Sequence, residues 1–434
     1  MKINKFALAA TAFLALTTAC TSSHDSADNT VVEQTEQKDT PPIDEKARAL
    51  YDKCNNLNDR DACFYLGRAY YNGEGVRQDR SMSVTYWEKA CSLGHGTGCF
   101  NLGYFYDEGQ VLRQNYQQAN HYYKIACDMN DSSGCNNLGS LYRFGRGVNQ
   151  DDNLAAHYYQ KACELNHSFG CFNLGYSYYN GYGVKQDFKQ ANKYYQKACE
   201  LNYSKGCLEV GNLYNNGEGV KKDFKQANKY YLKACELNDS TACFNLGNLY
   251  NNGEGVKKDF KQANKYYQKA CELNNGAGCL NLGVSYNDGR GVKKDYQQAN
   301  QYYQKACNLN NGIGCKNLGN YYRAGKGVKQ DYHKANQYFK KACDLDDGAG
   351  CSDLGYSYSF GQGAKQDYQQ ALYYYQKSCD LKEGMGCDNV GVLYNNGQGV
   401  RQNINTAKWY YGKACDFGYQ KGCDNYRKLN ERGY

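Results

Sequence analysis

Apolar and polar residues follow one another along most of this chain with the 3.6-residue rhythm of α-helices, and that rhythm repeats every 36 residues from about Asp79 to the C-terminus. The stretch from Asp259 to Lys294 shows the unit. Ala263, Tyr266, Tyr267 and Ala270 fall at i, i+3, i+4 and i+7, one stripe of a first helix, helix B. Asp259 precedes it as an N-cap, and Gln262 completes an Asp-x-x-Gln box in which the Gln is expected to reach back. The box recurs at Asp187 and Gln190, Asp223 and Gln226, and Asp295 and Gln298. A second helix, helix A, is expected from about Cys279 to Asn287, with Leu282 and Tyr286 inward and Gly283 leaving room for a neighbour. Gly289-Arg290-Gly291-Val292 ends it, because glycine enters the left-handed region cheaply and Val292 can fold back as an apolar contact. Two antiparallel helices per 36 residues predict an all-α fold, an α/α superhelical solenoid of helix-turn-helix repeats.

The array is expected to span 47–434. Ala47 to Cys54 reads as a degenerate helix B, and about ten units follow, kept in register by pairs from Leu66-Gly67 and Leu102-Gly103 to Val390-Gly391. One turn, Gly109-Gln110-Val111-Leu112, lacks the second glycine and is expected to bend differently. At the end, Tyr426-Arg427 replaces Leu-Gly and a charged segment follows, as a solubilising C-terminal cap requires.

Upstream the pattern changes twice. Lys2 and Lys5, the apolar run Phe6 to Leu16 and the small residues Thr17-Thr18-Ala19 read as a signal peptide over 1–19. Cys20 follows in a setting that resembles a bacterial lipobox, and Thr21 after it points to the outer membrane; Leu16 lies one place early and Thr17 stands where Leu is usual. The alternative is ordinary cleavage after Ala19, which leaves Cys20 a free thiol. Residues 21–46 hold both prolines and seven acids against two lysines, a composition that cannot bury a core. Residues 20–46 are therefore read as a lipidated N-terminus and disordered tether.

Charge adds a surface. The formal net charge is +8, and because the tether is acidic the chain from Ala47 carries +11. Lysine pairs recur at one point of successive units, Lys221-Lys222, Lys257-Lys258 and Lys293-Lys294, and form a stripe along one edge. Two readings stand: a solvated edge that keeps a Tyr-rich array soluble, or attraction to an anionic envelope polymer. The export signal argues against nucleic acid, and no apolar run reaches 18 residues, so the membrane is reached through the lipid alone. The array is expected to act as a monomer.

The 23 cysteines carry the most specific signal. Apart from Cys20 they form local pairs: Cys54 with Cys63, Cys91 with Cys99, Cys127 with Cys135, Cys163 with Cys171, Cys199 with Cys207, Cys235 with Cys243, Cys271 with Cys279, Cys307 with Cys315, Cys343 with Cys351, Cys379 with Cys387, and Cys415 with Cys423. Zinc sites favour ligands two to four apart and gathered in one place, whereas these pairs are spread along a rod. In an oxidising compartment they read as disulfides, each stapling a helix B to the next helix A. Closing a loop of about nine residues removes roughly 2.5 kcal/mol of unfolded-state entropy in the chain model.

Gly-x-Gly-Val, the Lys-Ala-x-x-Tyr-Tyr-x-Lys-Ala-Cys helix and the Cys-x7-Cys pairs at period 36 resemble Sel1-like repeats, a tetratricopeptide-like class, and specifically the Helicobacter cysteine-rich protein family, over about 47–434. That resemblance implies a disulfide-linked α/α solenoid. It also implies a protein-binding scaffold, while some members of the cysteine-rich family are labelled β-lactamases or penicillin-binding hydrolases. The enzymatic label has no residues to rest on here: there is no Ser-x-x-Lys, Ser-Asp-Asn or Lys-Thr-Gly, and His24, His95, His121, His157, His167 and His333 form no dense cluster. Each histidine is read as a substituted surface position. No catalytic residue, cofactor or metal is expected.

Comparison among the repeats locates a candidate surface. Residues one, five and eight after the second cysteine share a helix face and change most: Phe100, Tyr104, Asp107; Phe172, Tyr176, Tyr179; Leu208, Asn212, Asn215; Phe244, Asn248, Asn251; Lys316, Asn320, Arg323, with Asn287 at the matching place of the Cys279 unit. In tetratricopeptide arrays this helix lines the concave groove, so Tyr104, Phe172, Tyr176, Tyr179, Asn212, Asn215, Asn248, Asn251, Asn287, Asn320 and Arg323 are the candidate partner-binding residues. Asn amides pair with peptide backbone and aromatic rings grip side chains. The alternative is that the Asn residues satisfy neighbouring turns.

The N-terminal reading makes a direct prediction. Cys20→Ser is expected to move the protein from the membrane fraction to the soluble fraction on cell fractionation. Wild-type protein recovered soluble, with an unmodified Cys20 by mass spectrometry, would show that no acylation occurs.

Overall fold

A computed structural model describes residues 44–434; the signal segment, Cys20, His24 and the tether as far as residue 43 lie outside the described residues. Among the described residues the chain forms 22 α-helices and no strand, a helix B and helix A alternating from Glu45–Leu57 to Gln420–Glu431. The first helix reaches back to Glu45 because the Asp44 carboxylate accepts from the Ala47 N–H at 2.7 Å.

In the central unit helix B is Phe260–Glu272 and helix A is Gly276–Asp288. The Asp259 carboxylate caps the first through the N–H groups of Lys261 and Gln262, at 2.8 and 3.1 Å. Gln262 makes no return bond: the Asp259 N–H already donates to the Tyr250 carbonyl of the preceding helix A, at 2.9 Å. Helix A starts three residues earlier than the spacing predicts. Asn274 takes a left-handed φ of 62°, which turns the chain sharply and leaves Asn275 free to cap Gly278 at 2.9 Å. The bridge from Cys271 to Cys279 therefore joins the last turn of one helix to the first turn of the next, with Cα atoms 4.6 Å apart. All eleven pairs are bridged in this way, none between units further apart.

Packing is tightest where side chains are missing. A Cβ on Gly278 would stand 2.7 Å from the Ala270 methyl, and one on Gly283 would stand 2.7 Å from the ring of Tyr303 in the next helix B. Leu282, Ala263, Tyr267 and Tyr303 are buried around these approaches. A ladder of stacked tyrosines seals the same seam, as in Tyr286 on Tyr302 with centroids 5.5 Å apart. The turn after helix A needs its second glycine for the same reason: Gly291 has φ of 69°, and a Cβ there would lie 2.5 Å from the Phe260 carbonyl carbon. At Val111, which lacks that glycine, the positive φ is lost.

Several successive A helices also meet one another directly, Gly96–Glu108 with Ser132–Phe144, Ser132–Phe144 with Ser168–Asn180, and each from Gly276–Asp288 onward with the next. No two successive B helices approach as extensively. Crowding one row and spreading the other curves the solenoid, with the A helices on the concave side. Helix Gln420–Glu431 ends the stack, burying Leu429 against Ala407 and Tyr411 and exposing most of the rest.

Two glycines in helix interiors should answer differently to substitution. Gly283→Ala forces the buried Tyr303 ring to move and is expected to cost about 1–3 kcal/mol. At Gly412 a Cβ would meet only the Tyr426 ring, at 3.5 Å, so Gly412→Ala should be neutral or stabilise by up to about 1 kcal/mol through helix propensity. Denaturant unfolding of the two variants beside wild type decides, and equal effects would contradict the packing described.

Candidate functional site

The concave face presents the residues one, five and eight after each second cysteine, between the Leu and Gly that seal the stack. Aromatic residues gather in its N-terminal half, in the units of Cys99 and Cys171, with Asn136, Ser140 and Arg143 between them. Tyr104 and Tyr176 are 37% and 45% exposed on helix A, the first beside the Phe100 ring at 6.4 Å and the second beside the Tyr182 ring at 5.9 Å. Phe172 instead packs beneath the next unit, against Tyr195 and Tyr203 at 5.4 and 5.1 Å. Tyr179 is tied down by its hydroxyl, which donates at 2.8 Å to Glu218 Oε2, in the turn after the next helix A; burial, and then that carboxylate, push its phenol up to about 12.

The Asn residues of the middle units are drawn into the stack. Asn212 Oδ1 accepts from the Tyr231 hydroxyl at 2.9 Å, and Asn248 Oδ1 accepts from the Tyr267 hydroxyl at 2.8 Å. Each is thus the partner of a buried ring on the next helix B. Asn287 Oδ1 accepts from Tyr321 and Lys326 of the next unit, at 2.6 and 3.1 Å. Asn215 and Asn251 donate to their neighbours Asn216 and Asn252, at 3.0 and 2.9 Å. The Asn212 amide also donates to Glu209, whose pKa burial raises above the ordinary carboxylate range.

Further along, Arg323 pairs with Asp353 at 2.9 Å, donates to Asn320, and lies 5.0 Å above the Phe339 ring. Burial raises the Asp353 pKa even though Arg323 opposes the shift. Around this pair opens a cleft of about 450 Å³ that also takes in Tyr332, Ser352, Tyr356 and Met385. Its origin is legible by comparison along the array. Where Phe100, Phe172 and Phe244 send a ring into the core, the equivalent residue is Ser352, whose small side chain leaves the space open. The Ser352 hydroxyl is buried and has no hydrogen-bond partner among the described residues. Tyr356, 39% exposed, stands at the same register as Tyr104 and Tyr176, in the unit after Asn320 and Arg323, and is not among the residues expected from the sequence.

Two histidines have a role that their scatter conceals. His95 and His167 cap helix A, their Nδ1 atoms accepting from Gly98 and Gly170 N–H at 3.2 and 3.1 Å, where other units use Asp or Asn. Burial lowers both pKa values. They are half-buried caps, not the surface substitutions expected, while His121, His157 and His333 are exposed. Among the described residues no group of three or more His, Cys, Asp or Glu side chains is placed to hold a metal.

The family model described as Sel1 repeat matches ten times in succession, from 60–95 and 97–131 to 348–383 and 385–419. Among solved structures, a protective antigen of uropathogenic Escherichia coli displaying the same repeat fold is 24% identical, over 89% of this chain and 90% of that one, with a TM-score of 0.62. A Sel1 repeat protein from Oxalobacter formigenes is 23% identical over 68% of this chain and 86% of its own, with a TM-score of 0.56. Helicobacter pylori cysteine rich protein B is 47% identical over 30% of this chain and 95% of its own, with a TM-score of 0.26. No curated protein matches the chain.

The bond from Tyr267 to Asn248 can be weighed. Asn248→Ala leaves the Tyr267 hydroxyl without its acceptor and is expected to cost about 1–2 kcal/mol of stability. A double-mutant cycle with Tyr267→Phe should return a coupling of about 1 kcal/mol. Zero coupling in urea unfolding would free the amide from the stack.

Proposed function

The chain belongs to the Sel1-repeat family, and we propose that it is an exported, envelope-anchored scaffold that grips an extended peptide or protein segment along its concave face. One observation carries this reading. The positions that seal the stack, cysteine, leucine and glycine, hold from unit to unit, while the concave line of helix A changes at nearly every step and leaves Tyr104, Tyr176 and Tyr356 open to a partner. Half-exposed tyrosines on a rigid helix supply contact area at little entropic cost, the usual chemistry of binding anchors.

Export is supported by the eleven disulfides, which persist in oxidising compartments. Among the described residues no helix is long and apolar enough to cross a membrane. Acylated Cys20 and an acidic tether would hold the array to the envelope and let its concave face turn outward. The hydrolase reading gains no support: His95 and His167 are occupied as helix caps.

Selection from a random-peptide display library on the oxidised array tests the groove. Selected peptides should lose about 30-fold in affinity on Tyr176→Ala, roughly 2 kcal/mol, while the melting temperature stays unchanged. Peptides that bind equally well to Tyr104→Ala, Tyr176→Ala and Tyr356→Ala variants would exclude the concave face as the site.

A further inference from the structure

On the turn that follows helix A, the residue before the N-cap has a structural duty in most units. Six glutamines, from Gln78 and Gln114 to Gln366 and Gln402, donate Nε2 to the carbonyl seven residues back, in the last turn of helix A, at 2.7 to 2.8 Å. That bond satisfies a carbonyl which the helix leaves without a partner. In three consecutive units the glutamine is replaced by Lys222, Lys258 and Lys294, and the bond is given up. Their ammonium groups lie over the rings of Phe224, Phe260 and Tyr296, 4.7, 5.0 and 5.1 Å from the centroids.

Each of these lysines follows another, Lys221, Lys257 or Lys293, and all six are exposed. None comes within 4.0 Å of a carboxylate among the described residues. At the first of the three turns, Lys221, Lys222 and Lys225 border an open cleft of about 800 Å³ beside Phe224 and Tyr214. These units therefore hold paired like charges against mutual repulsion and without the helix-end bond that their neighbours keep. Stacking does not require this, since glutamine serves it elsewhere.

We propose that the paired-lysine ridge over 221–294 is a binding site for a linear anionic polysaccharide that runs along the edge of three units. The ammonium groups are exposed point charges repeated at the period of the array, which suits a polymer with regularly spaced anionic groups better than a single small anion. On the proposed export, which the eleven disulfides support, the ridge would meet envelope polysaccharide rather than nucleic acid. This site lies on the turns, apart from the concave face.

The test uses the oxidised full array and two probes, a size-fractionated heparin and polygalacturonate, with binding measured across a series of NaCl concentrations. The variant Lys222→Gln/Lys258→Gln/Lys294→Gln restores the residue of the other turns. It should keep or raise the melting temperature, bind both probes about tenfold or more weakly, and lower the salt slope by about 2–3, roughly one per lysine. The single variant Lys258→Gln should show about a third of that change in slope. Lys193→Gln/Lys229→Gln/Lys265→Gln removes the same charge from exposed positions within helix B and should bind within about twofold of wild type. Unchanged binding by the turn variant, or equal loss in the helix B control, would overturn the ridge as a site. Single-stranded DNA of equal charge binding about tenfold more tightly than either polysaccharide would overturn the ligand class.

Discussion

At one point on every helix A but the last no side chain fits, and the geometry of the whole array descends from it. The ring of Tyr303 occupies the space that a Cβ on Gly283 would fill, and the same contact joins Gly103 to Tyr123, Gly175 to Tyr195, Gly247 to Tyr267 and Gly319 to Phe339. A bare backbone against a flat ring fixes how near one unit lies to the next and at what angle. Gly278 and its equivalents do the same at the junction between helix B and helix A, beside the disulfide. With both spacings set, the A helices crowd on one side, the solenoid bends, and the concave line of variable residues becomes a surface.

Much of this was legible in the chain. The 36-residue period, the cysteine pairs, the capping aspartates and the glycines of the turns are local signals, each residue acting on atoms within a few positions of itself. Part of what escaped depends on the neighbouring unit, and part on choices that a residue type permits without requiring. Gln262 fits a capping box by spacing, but the N–H that it would meet is taken by the Tyr250 carbonyl. The early start of helix A rests on Asn274 entering the left-handed region, which asparagine permits and does not require. His95 and His167 looked incidental because the role belongs to a register position and not to a residue type. The cleft at Ser352 exists because of a ring that is absent, visible only once Phe100, Phe172 and Phe244 are seen to fill that space.

The candidate surface divides along the same line. The variability of Asn212, Asn248 and Asn287 points to one face of helix A, yet their amide oxygens serve tyrosines of the next unit. Variation between units is therefore a necessary sign of freedom and an insufficient one: a position can change and still serve the stack, since the tyrosine hydroxyl of the next helix B donates to Asp107 in one unit and to Asn212 or Asn248 in others. Tyr104, Tyr176 and Tyr356 keep exposed rings, and the lysines of the central turns keep exposed charges while their neighbours hold hydrogen-bonded glutamines. Those are the places where the array departs from what stacking alone requires.

The bridges have a consequence for how such a chain is made. A polypeptide with 22 array cysteines has a vast number of possible pairings, and a fully emerged, unfolded chain would sample many of them. Here each cysteine that opens a pair is followed by its partner after eight residues, nine at Cys54. Whenever the chain emerges N-terminus first through a narrow opening, the nearest available thiol is the correct one, and the next pair is still 28 residues behind the opening. The two helix turns that hold each pair form from residues already released. Order of appearance thus does the sorting, and the array can be oxidised unit by unit without a step that breaks wrong bonds.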